Sequence, residues 1–190
     1  MKRIAIFASG AGSNSEQLIL RFKNSSSIQV ALIVCNKSEA GVLHLAKKHH
    51  VNTLLLEKEK FFRGDSYIPL FEELKIDWIV LAGFLWKIPA ALIAHWPQRI
   101  INIHPALLPK YGGKGMFGAH VHQAVLEASE KESGITIHYV DEHYDHGATI
   151  FQATCPVEPT DTVASLSQRI HTLEHKYYPQ VVEELLLNTL

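Results

Sequence analysis

Cysteine is scarce in this sequence of 190 residues, which contains only Cys35 and Cys155. Small secreted scaffolds usually carry more cysteines, in pairs that form disulfides. The first residues, MKRIAIFASGAG, have too short an apolar run before the first glycine for the core of a signal peptide. We therefore expect a protein of the reducing cytoplasm.

Long apolar runs and an excess of one charge are also missing. No stretch reaches the roughly 18 apolar residues that a membrane-spanning helix needs. Lys and Arg together number 18 and Asp and Glu 19, so the formal charge is −1 and no net basic field attracts a nucleic acid. The 12 histidines are scattered, without an HExxH or CxxC pair, so no metal site is predicted. We expect neither a membrane nor a nucleic acid as partner.

The residues that are present suit one globular domain over residues 1–190, since 47% are hydrophobic and 19% charged. Up to His104, apolar strands alternate with helical patterns. The strands are predicted at 2–8, 29–35, 53–56, 77–82 and 99–104, and the helices at 15–22, 41–49, 67–74 and 89–95. Such alternation predicts a Rossmann-like α/β fold, with a mostly parallel central sheet flanked by helices.

The pattern changes after His104. A loop rich in proline and glycine is followed by a predicted helix at 119–129. Two strands at 134–140 and 148–157 are joined by the short loop 141–147, which indicates a hairpin. One or two helices over 162–187 end the chain. These features predict an antiparallel addition to the sheet near the carboxyl end.

The first candidate site is the loop from Gly10 to Asn14, which follows the first strand and precedes a helix. Glycine lets the backbone approach a ligand, and a helix N-terminus offers free N–H groups to an anion such as phosphate. Ser13 and Asn14 are expected to cap this helix or to donate to the anion. The GxGxxG fingerprint is not met, because Ser15 stands where the last glycine is required. A plain tight turn remains an alternative.

The second candidate site is the strand end Asn102-Ile103-His104-Pro105. Side chains of a strand alternate between its faces, so Asn102 and His104 lie on the same face. Open α/β sheets bind ligands at the carboxyl ends of their strands. Two converging donors are suited to stabilise the oxyanion of a tetrahedral intermediate. The alternative is a polar strand end that is satisfied by neighbouring backbone groups.

The third candidate site is the loop 141–147, with the sequence DEHYDHG. A carboxylate beside an imidazole raises the imidazole pKa, and the pair can move protons through water. A solvated acidic turn is the alternative interpretation of this loop.

Five motifs occur in one order along the chain: SGAGSN, LAGF at 81–84, NIHPALLPKYGG at 102–113, GITIHYVDEHYDHG at 134–147 and LEHKYYP at 173–179. Together they resemble the folate formyltransferase superfamily and, within it, the phosphoribosylglycinamide formyltransferases, from Lys2 to about Val182. The resemblance implies transfer of a formyl group from 10-formyltetrahydrofolate to the amine of glycinamide ribonucleotide, a step of purine (IMP) biosynthesis. It implies two small-molecule partners, no metal and no particular oligomeric state.

The resemblance also implies roles for individual residues. The catalytic residues are Asn102, His104 and Asp145, with Asp145 holding His104 oriented and protonated. The ribonucleotide-binding residues are Gly12, Ser13, Asn14 and Glu174. The folate-binding residues are Arg63, Leu85, Trp86, Lys87, Ile88, Asn102 and Asp141. His122 and His138 match histidines that lie close to the site.

Three features depart from the family pattern. Trp86 stands where many members have arginine, and His171 where some have lysine near the phosphate. The segment 112–120 is longer than in the best-known bacterial sequence. The rival interpretations are a formyltetrahydrofolate deformylase, a methionyl-tRNA formyltransferase and a noncatalytic Rossmann-type module. The first two usually carry a further domain, for which this sequence is too short, and the third would not need the Asn, His and Asp set.

Overall fold

One seven-stranded sheet organises the computed structural model, which describes residues 1–189. Its strands are β1 (Lys2–Ala8), β2 (Ile28–Cys35), β3 (Thr53–Leu55), β4 (Trp78–Leu81), β5 (Ile100–His104), β6 (Glu132–Tyr139) and β7 (Thr149–Pro156). They lie in the order β3-β2-β1-β4-β5-β6-β7. All pairs from β3 to β5 are parallel, whereas β6 and β7 pair antiparallel. The mostly parallel sheet and its antiparallel addition are thus confirmed.

Helices cover the sheet. They are α1 (Ser13–Phe22), α2 (Gly41–Lys48), α3 (Lys58–Arg63), α4 (Ile68–Glu73), α5 (Ala90–His95), α6 (Ala119–Glu127) and α7 (Val163–Asn188). Helix α3 was not predicted from the sequence. The last segment forms a single helix with Pro179 inside it, and Thr162 and Ser165 cap its start reciprocally.

Alternate residues of β1 enter two different hydrophobic cores. Ile4 and Ile6 belong to the core that includes α1 and α7, whereas Ala5 and Phe7 belong to the core with α3, α4 and α5. All four side chains are fully buried. Because both faces of β1 are covered, it has a continuous apolar sequence rather than an alternating one. The sheet is therefore the middle of three layers.

No helix within residues 1–189 is both long and apolar enough to cross a membrane. In the same range, no three His, Cys, Asp or Glu side chains come together as a group that could hold a metal ion. Cys35 and Cys155 are both buried and are not disulfide-bonded.

Candidate active site

The pairing of β5 with β6 brings the second and third candidate sites together. Asn102 lies opposite His138 in the antiparallel register, and His104 lies two residues further along the same face. Asp145, from the β6–β7 loop, reaches these side chains. Its Oδ2 is 3.5 Å from His104 Nδ1, and its Oδ1 accepts a hydrogen bond from Asn102 Nδ2 at 3.4 Å. We call Asn102, His104, His138 and Asp145 the catalytic cluster.

His138 belongs to this cluster more closely than the sequence indicated. Its Nε2 is 3.2 Å from Asn102 Nδ2 and 3.6 Å from Asp145 Oδ1, and its Nδ1 is 2.8 Å from the Tyr139 carbonyl oxygen. The side chain is almost fully buried. The sequence indicated only that His138 lies on a strand in which apolar and polar residues alternate. The register with β5 identifies Asn102 as its partner.

The segment 111–113 contacts two members of the catalytic cluster through its backbone. His104 Nε2 is 2.7 Å from the Tyr111 carbonyl oxygen, which can only accept, so this ring nitrogen carries the proton of the hydrogen bond. The Gly113 N–H donates to Asp145 Oδ2 at 2.9 Å. Residues 111–113 therefore orient both the imidazole and the carboxylate.

Burial and charge act in opposite directions on the two titrating groups. Burial of His104 lowers its pKa, despite the nearby Asp145 carboxylate and the Tyr111 carbonyl. Burial of Asp145 works to raise its pKa, but His138, His104 and the Gly113 N–H together outweigh burial and lower the pKa. At neutral pH, Asp145 is ionised and His104 is mainly neutral. In the free protein burial thus favours neutral His104 over the carboxylate's opposing effect, and the expected role of Asp145 in keeping His104 oriented and protonated stays a prediction.

The first candidate site lies at the start of α1. Gly12 is the residue before the helix and has φ of 87°, a left-handed conformation that favours glycine. A Cβ at this position would lie 2.8 Å from Val42 Cβ, so glycine is also needed for packing against α2. Ser13 and Asn14 are the first helical residues, and no side chain caps the helix. Of the two roles expected for Ser13 and Asn14, capping is not observed, because Gly12 occupies the cap position, and donation to an anion stays a prediction.

Glu174 of α7 faces this helix start. Its Oε2 accepts a hydrogen bond from Asn14 Nδ2 at 3.1 Å and is 2.8 Å from His171 Nδ1. The hydrogen bond to Glu174 raises the pKa of His171, although partial burial opposes it. Glu174 itself is 5% exposed. The structure therefore brings together two of the residues that the resemblance assigned to the ribonucleotide.

Several buried polar atoms around this helix start have no hydrogen-bond partner within residues 1–189: Asn14 Oδ1, Ser15 Oγ and His122 Nδ1. His122 belongs to α6. Burial lowers its pKa, the charge of Glu174 opposes this shift, and the charge of His171 adds to it. Buried polar atoms in proteins are rarely left unpaired. The hydrogen-bonding capacity of these three atoms is therefore unused within residues 1–189. We call Asn14, Ser15, His122, His171 and Glu174 the helix-α1 cluster.

The segment 85–88 lies beside α3. Trp86 is half-buried, with its ring centroid 5.7 Å from that of Phe61 and 5.4 Å from that of Phe62. Ile88 is buried in the same core, whereas Leu85 and Lys87 are exposed. The Leu85 N–H donates to Ser9 Oγ at 2.9 Å, which ties this segment to the end of β1.

Of the two remaining folate-binding candidates, Arg63 is exposed and Asp141 is half-buried. Arg63 is the last residue of α3, and Asp141 lies at the start of the β6–β7 loop near His143 and His146. Within residues 1–189, no hydrogen bond or ion pair joins either side chain to the catalytic cluster. Asn102, His104 and Asp145 thus contact one another, whereas Arg63 and Asp141 are placed only by the segments in which they lie.

A Rossmann-like sheet with an Asn, His and Asp cluster at the end of β5 is an architecture suited to group transfer. The family model for formyl transferases matches residues 2–182, and the chain belongs to this family. It is 39% identical over 187 residues to a chloroplastic phosphoribosylglycinamide formyltransferase of Arabidopsis thaliana, covering 95% of this chain and 64% of that protein. It is 37% identical over 191 residues to a phosphoribosylglycinamide formyltransferase of Bacillus subtilis, covering 98% and 95%.

Solved structures show the same likeness. The phosphoribosylglycinamide formyltransferase from Bacillus halodurans superimposes with a TM-score of 0.88 at 34% identity, over 98% of this chain and 96% of that chain. Glycinamide ribonucleotide transformylase 1 from Geobacillus kaustophilus gives 0.89 at 34% identity, over 98% and 99%. The chain spans 64% and 61% of the two chloroplastic relatives, from Arabidopsis thaliana and Vigna unguiculata, and nearly all of the bacterial ones.

Proposed function

We propose that this chain is a single formyltransferase domain over residues 1–190 that transfers the formyl group of 10-formyltetrahydrofolate to the amine of glycinamide ribonucleotide. The observation that carries this proposal is the convergence of Asn102, His104 and Asp145 at the end of β5, with 3.4 and 3.5 Å contacts to the carboxylate. The names of the bacterial and chloroplastic relatives support the choice of substrates.

The reaction begins when the amine nitrogen of the ribonucleotide forms a bond to the formyl carbon. The π electrons of the formyl group move to its oxygen, giving a tetrahedral oxyanion. Asn102 Nδ2 supplies one donor for this oxygen. His104 supplies a second once its Nδ1 is protonated, because its Nε2–H is already bonded to the Tyr111 carbonyl. The loss of one such donor costs about 3 kcal/mol of barrier in comparable sites.

The intermediate collapses when the bond between the formyl carbon and N10 of folate breaks and the C=O bond forms again. The electron pair of the broken bond stays on N10, which takes a proton to give tetrahydrofolate. The amine loses a proton in the same cycle. A His104 of lowered pKa is suited to accept this proton, and ionised Asp145 stabilises the resulting imidazolium before the proton reaches N10.

The ribonucleotide phosphate is proposed to bind the first N–H groups of α1, at Gly12, Ser13 and Asn14. A helix N-terminus combines free donors with the positive end of the helix dipole. Glu174 lies at the ribose end of this site. The unpartnered polar atoms of the helix-α1 cluster support a polar ligand at this position.

Folate is proposed to contact Asn102 and the residues around the 85–88 and 141–145 segments. The set comprises Arg63, Leu85, Trp86, Lys87, Ile88 and Asp141. The half-buried Trp86 ring and the exposed Lys87 side chain offer an apolar face and a charge, which suit the rings and the anionic tail of folate. The proposed setting is the cytoplasm, since the two cysteines Cys35 and Cys155 are buried free thiols.

The experiment that tests this function follows tetrahydrofolate formation by absorbance, with and without glycinamide ribonucleotide. We expect product only when the ribonucleotide is present, at a rate that a metal chelator leaves unchanged. Formyl release with water alone would indicate a deformylase. Folate binding without turnover would indicate a binding module.

A further inference from the structure

Tyr111 contacts the catalytic cluster at one end and a distant carboxylate at the other. Its carbonyl oxygen accepts the hydrogen bond from His104 Nε2 at 2.7 Å. Its side-chain hydroxyl donates to Glu130 Oε1 at 2.8 Å. No residue of the proposed substrate sites lies on this second connection. Tyr111 therefore joins Glu130, which lies outside those sites, to the catalytic imidazole.

Glu130 is well placed to be a fixed anchor. It follows α6 directly, and its N–H donates to the Val125 carbonyl at 3.3 Å. Val125 is buried in the core. The same Oε1 that accepts from Tyr111 also accepts from Lys110 Nζ at 2.8 Å. One carboxylate thus holds two consecutive residues of the loop. We call Lys110, Tyr111 and Glu130 the loop clamp.

The loop borders a cavity on this side. The cavity has a volume of about 260 Å³ and is lined by residues 107–111 together with Val125, Glu130, Glu132 and Ser133. In addition, Tyr111 has φ of 56°, in the left-handed region that tyrosine rarely adopts. Such a conformation persists only when surrounding contacts hold it. The loop clamp provides hydrogen bonds that hold this strained residue beside the cavity.

We propose that Glu130, acting through the Tyr111 hydroxyl, is a positioning residue that holds segment 111–113 against the catalytic cluster. The Tyr111 carbonyl then fixes the orientation of His104, and the Gly113 N–H fixes that of Asp145. Glu130 belongs to neither of the proposed substrate sites. This inference rests on the proposed function, because the orientation matters only if His104 and Asp145 perform the transfer.

Tyr111→Phe tests the clamp, because it removes only the hydroxyl. We expect kcat to fall at least about tenfold while both KM values stay within about twofold, since geometry rather than binding is lost. Glu130→Ala should reproduce this loss. Glu130→Gln keeps an acceptor oxygen for the hydroxyl and should recover most of kcat. Tyr177→Phe is the matched control, because the Tyr177 hydroxyl makes no hydrogen bond within residues 1–189.

A second measurement separates this inference from the proposed function. Ring ¹⁵N NMR of His104 reports whether Nε2 carries a hydrogen-bonded proton, and it needs no turnover. We expect the Nε2–H signal in the wild type and its shift in both Tyr111→Phe and Glu130→Ala. An inactive wild type with this pattern contradicts the function alone. An unchanged His104 signal and unchanged kcat in both variants would overturn the clamp, as would a Glu130→Gln variant as impaired as Glu130→Ala.

Discussion

The two polar clusters of the candidate site differ in how far the protein completes them. In the catalytic cluster, Asp145 is contacted by Asn102, His104, His138 and the Gly113 N–H. In the helix-α1 cluster, three buried polar atoms have no partner within residues 1–189. From this difference we propose that the reacting groups are organised before substrate arrives, whereas the binding groups are completed by the ligand.

This difference follows from where each cluster is built. The catalytic cluster stands on β5 and β6, whose ladder of hydrogen bonds fixes the spacing of side chains across the strands. The helix-α1 cluster stands on a helix start, whose first N–H groups have no partner inside the helix. A change in the catalytic cluster should therefore act on kcat, and a change in the helix-α1 cluster on the affinity for the ribonucleotide.

The largest effect is expected for Asp145→Asn. Asn has nearly the same shape but no charge to stabilise the imidazolium, so kcat should fall about 10³-fold, which corresponds to about 4 kcal/mol of barrier. Steady-state kinetics with both substrates measures this loss, and the ribonucleotide KM should change little. A melting curve close to that of the wild type is the control for folding. Turnover within about tenfold of the wild type would show that the proposed role of Asp145 is wrong.

A large effect on affinity is expected for Ser13→Asp. Ser13 is exposed at the first position of α1, where a carboxylate interacts favourably with the helix dipole. The free protein should therefore keep or gain stability. The same carboxylate occupies the proposed phosphate position and repels the phosphate, so the ribonucleotide KM should rise about 10- to 100-fold.

Ser13→Ala is the matched variant for this test, because it shortens the side chain without adding charge. It should raise the ribonucleotide KM far less than Ser13→Asp. Calorimetry with each substrate separates the two sites, and folate affinity should be unchanged in both variants. Equal loss of both ligands in a stable Ser13→Asp protein would place the phosphate elsewhere.

Much of the fold and half of the catalytic cluster could be predicted from local pattern. The strand period of two puts Asn102 and His104 on one face in any sheet. Helix α3 escaped prediction because its six residues are too few to show a helical period. The helices α4 and α5 are equally short, but Pro69 and Pro89 mark their starts, and α3 has no such proline. Asp145 was assigned through the resemblance, since its contact with His104 depends on how the β6–β7 loop folds back.

What could not be predicted are properties that arise only in the folded chain. The direction of the His104 pKa depends on how far the fold buries its imidazole. The roles of Tyr111 and Glu130 depend on a contact between residues 19 positions apart. No periodicity or motif in the sequence joins those two positions.

A smaller effect is expected on stability as a function of pH. The pKa values of His104 and His122 are lowered by burial, so their unfolded forms bind protons more readily. Their contribution to stability is complete above the unfolded histidine pKa of about 6.5 and is lost as pH falls below it. Half-exposed His171 acts in the opposite direction, because its pKa is raised. We expect Tm to fall by a few degrees between pH 7.5 and 5.5.

Two variants separate the opposite contributions of His122 and His171 to the pH dependence of stability. His122→Gln should flatten the dependence of Tm on pH, because one of the buried neutral histidines is removed. His171→Gln should steepen it, because a group that favours the folded state at low pH is removed. Thermal melts in buffers of constant ionic strength measure both slopes. A His122→Gln protein with the wild-type slope would contradict the assignment of His122 as a buried neutral group.

The smallest effect is expected for Trp86→Phe. This variant tests whether the proposed folate-binding segment 85–88 is completed by the protein's own contacts, as in the catalytic cluster, or by its ligand, as proposed for the helix-α1 cluster. The Trp86 ring contacts Phe61 and Phe62 of the preceding α3. The ring is only half-buried, so part of it remains available to folate. Phe preserves the apolar contact, and we expect folate affinity to fall less than about threefold.

Trp86→Ala should instead weaken folate binding by roughly 1–3 kcal/mol, the range for a lost aromatic stack, while ribonucleotide affinity holds. Tryptophan emission on adding a folate analogue gives a direct measurement. Trp78 is fully buried, and Trp96 is buried with its indole N–H bonded to the Ile76 carbonyl, so both are better kept than replaced. The difference between wild type and Trp86→Phe then isolates the Trp86 signal. If that difference does not respond to the analogue, Trp86 lies away from folate, and its role is to hold α3 against the segment 85–88.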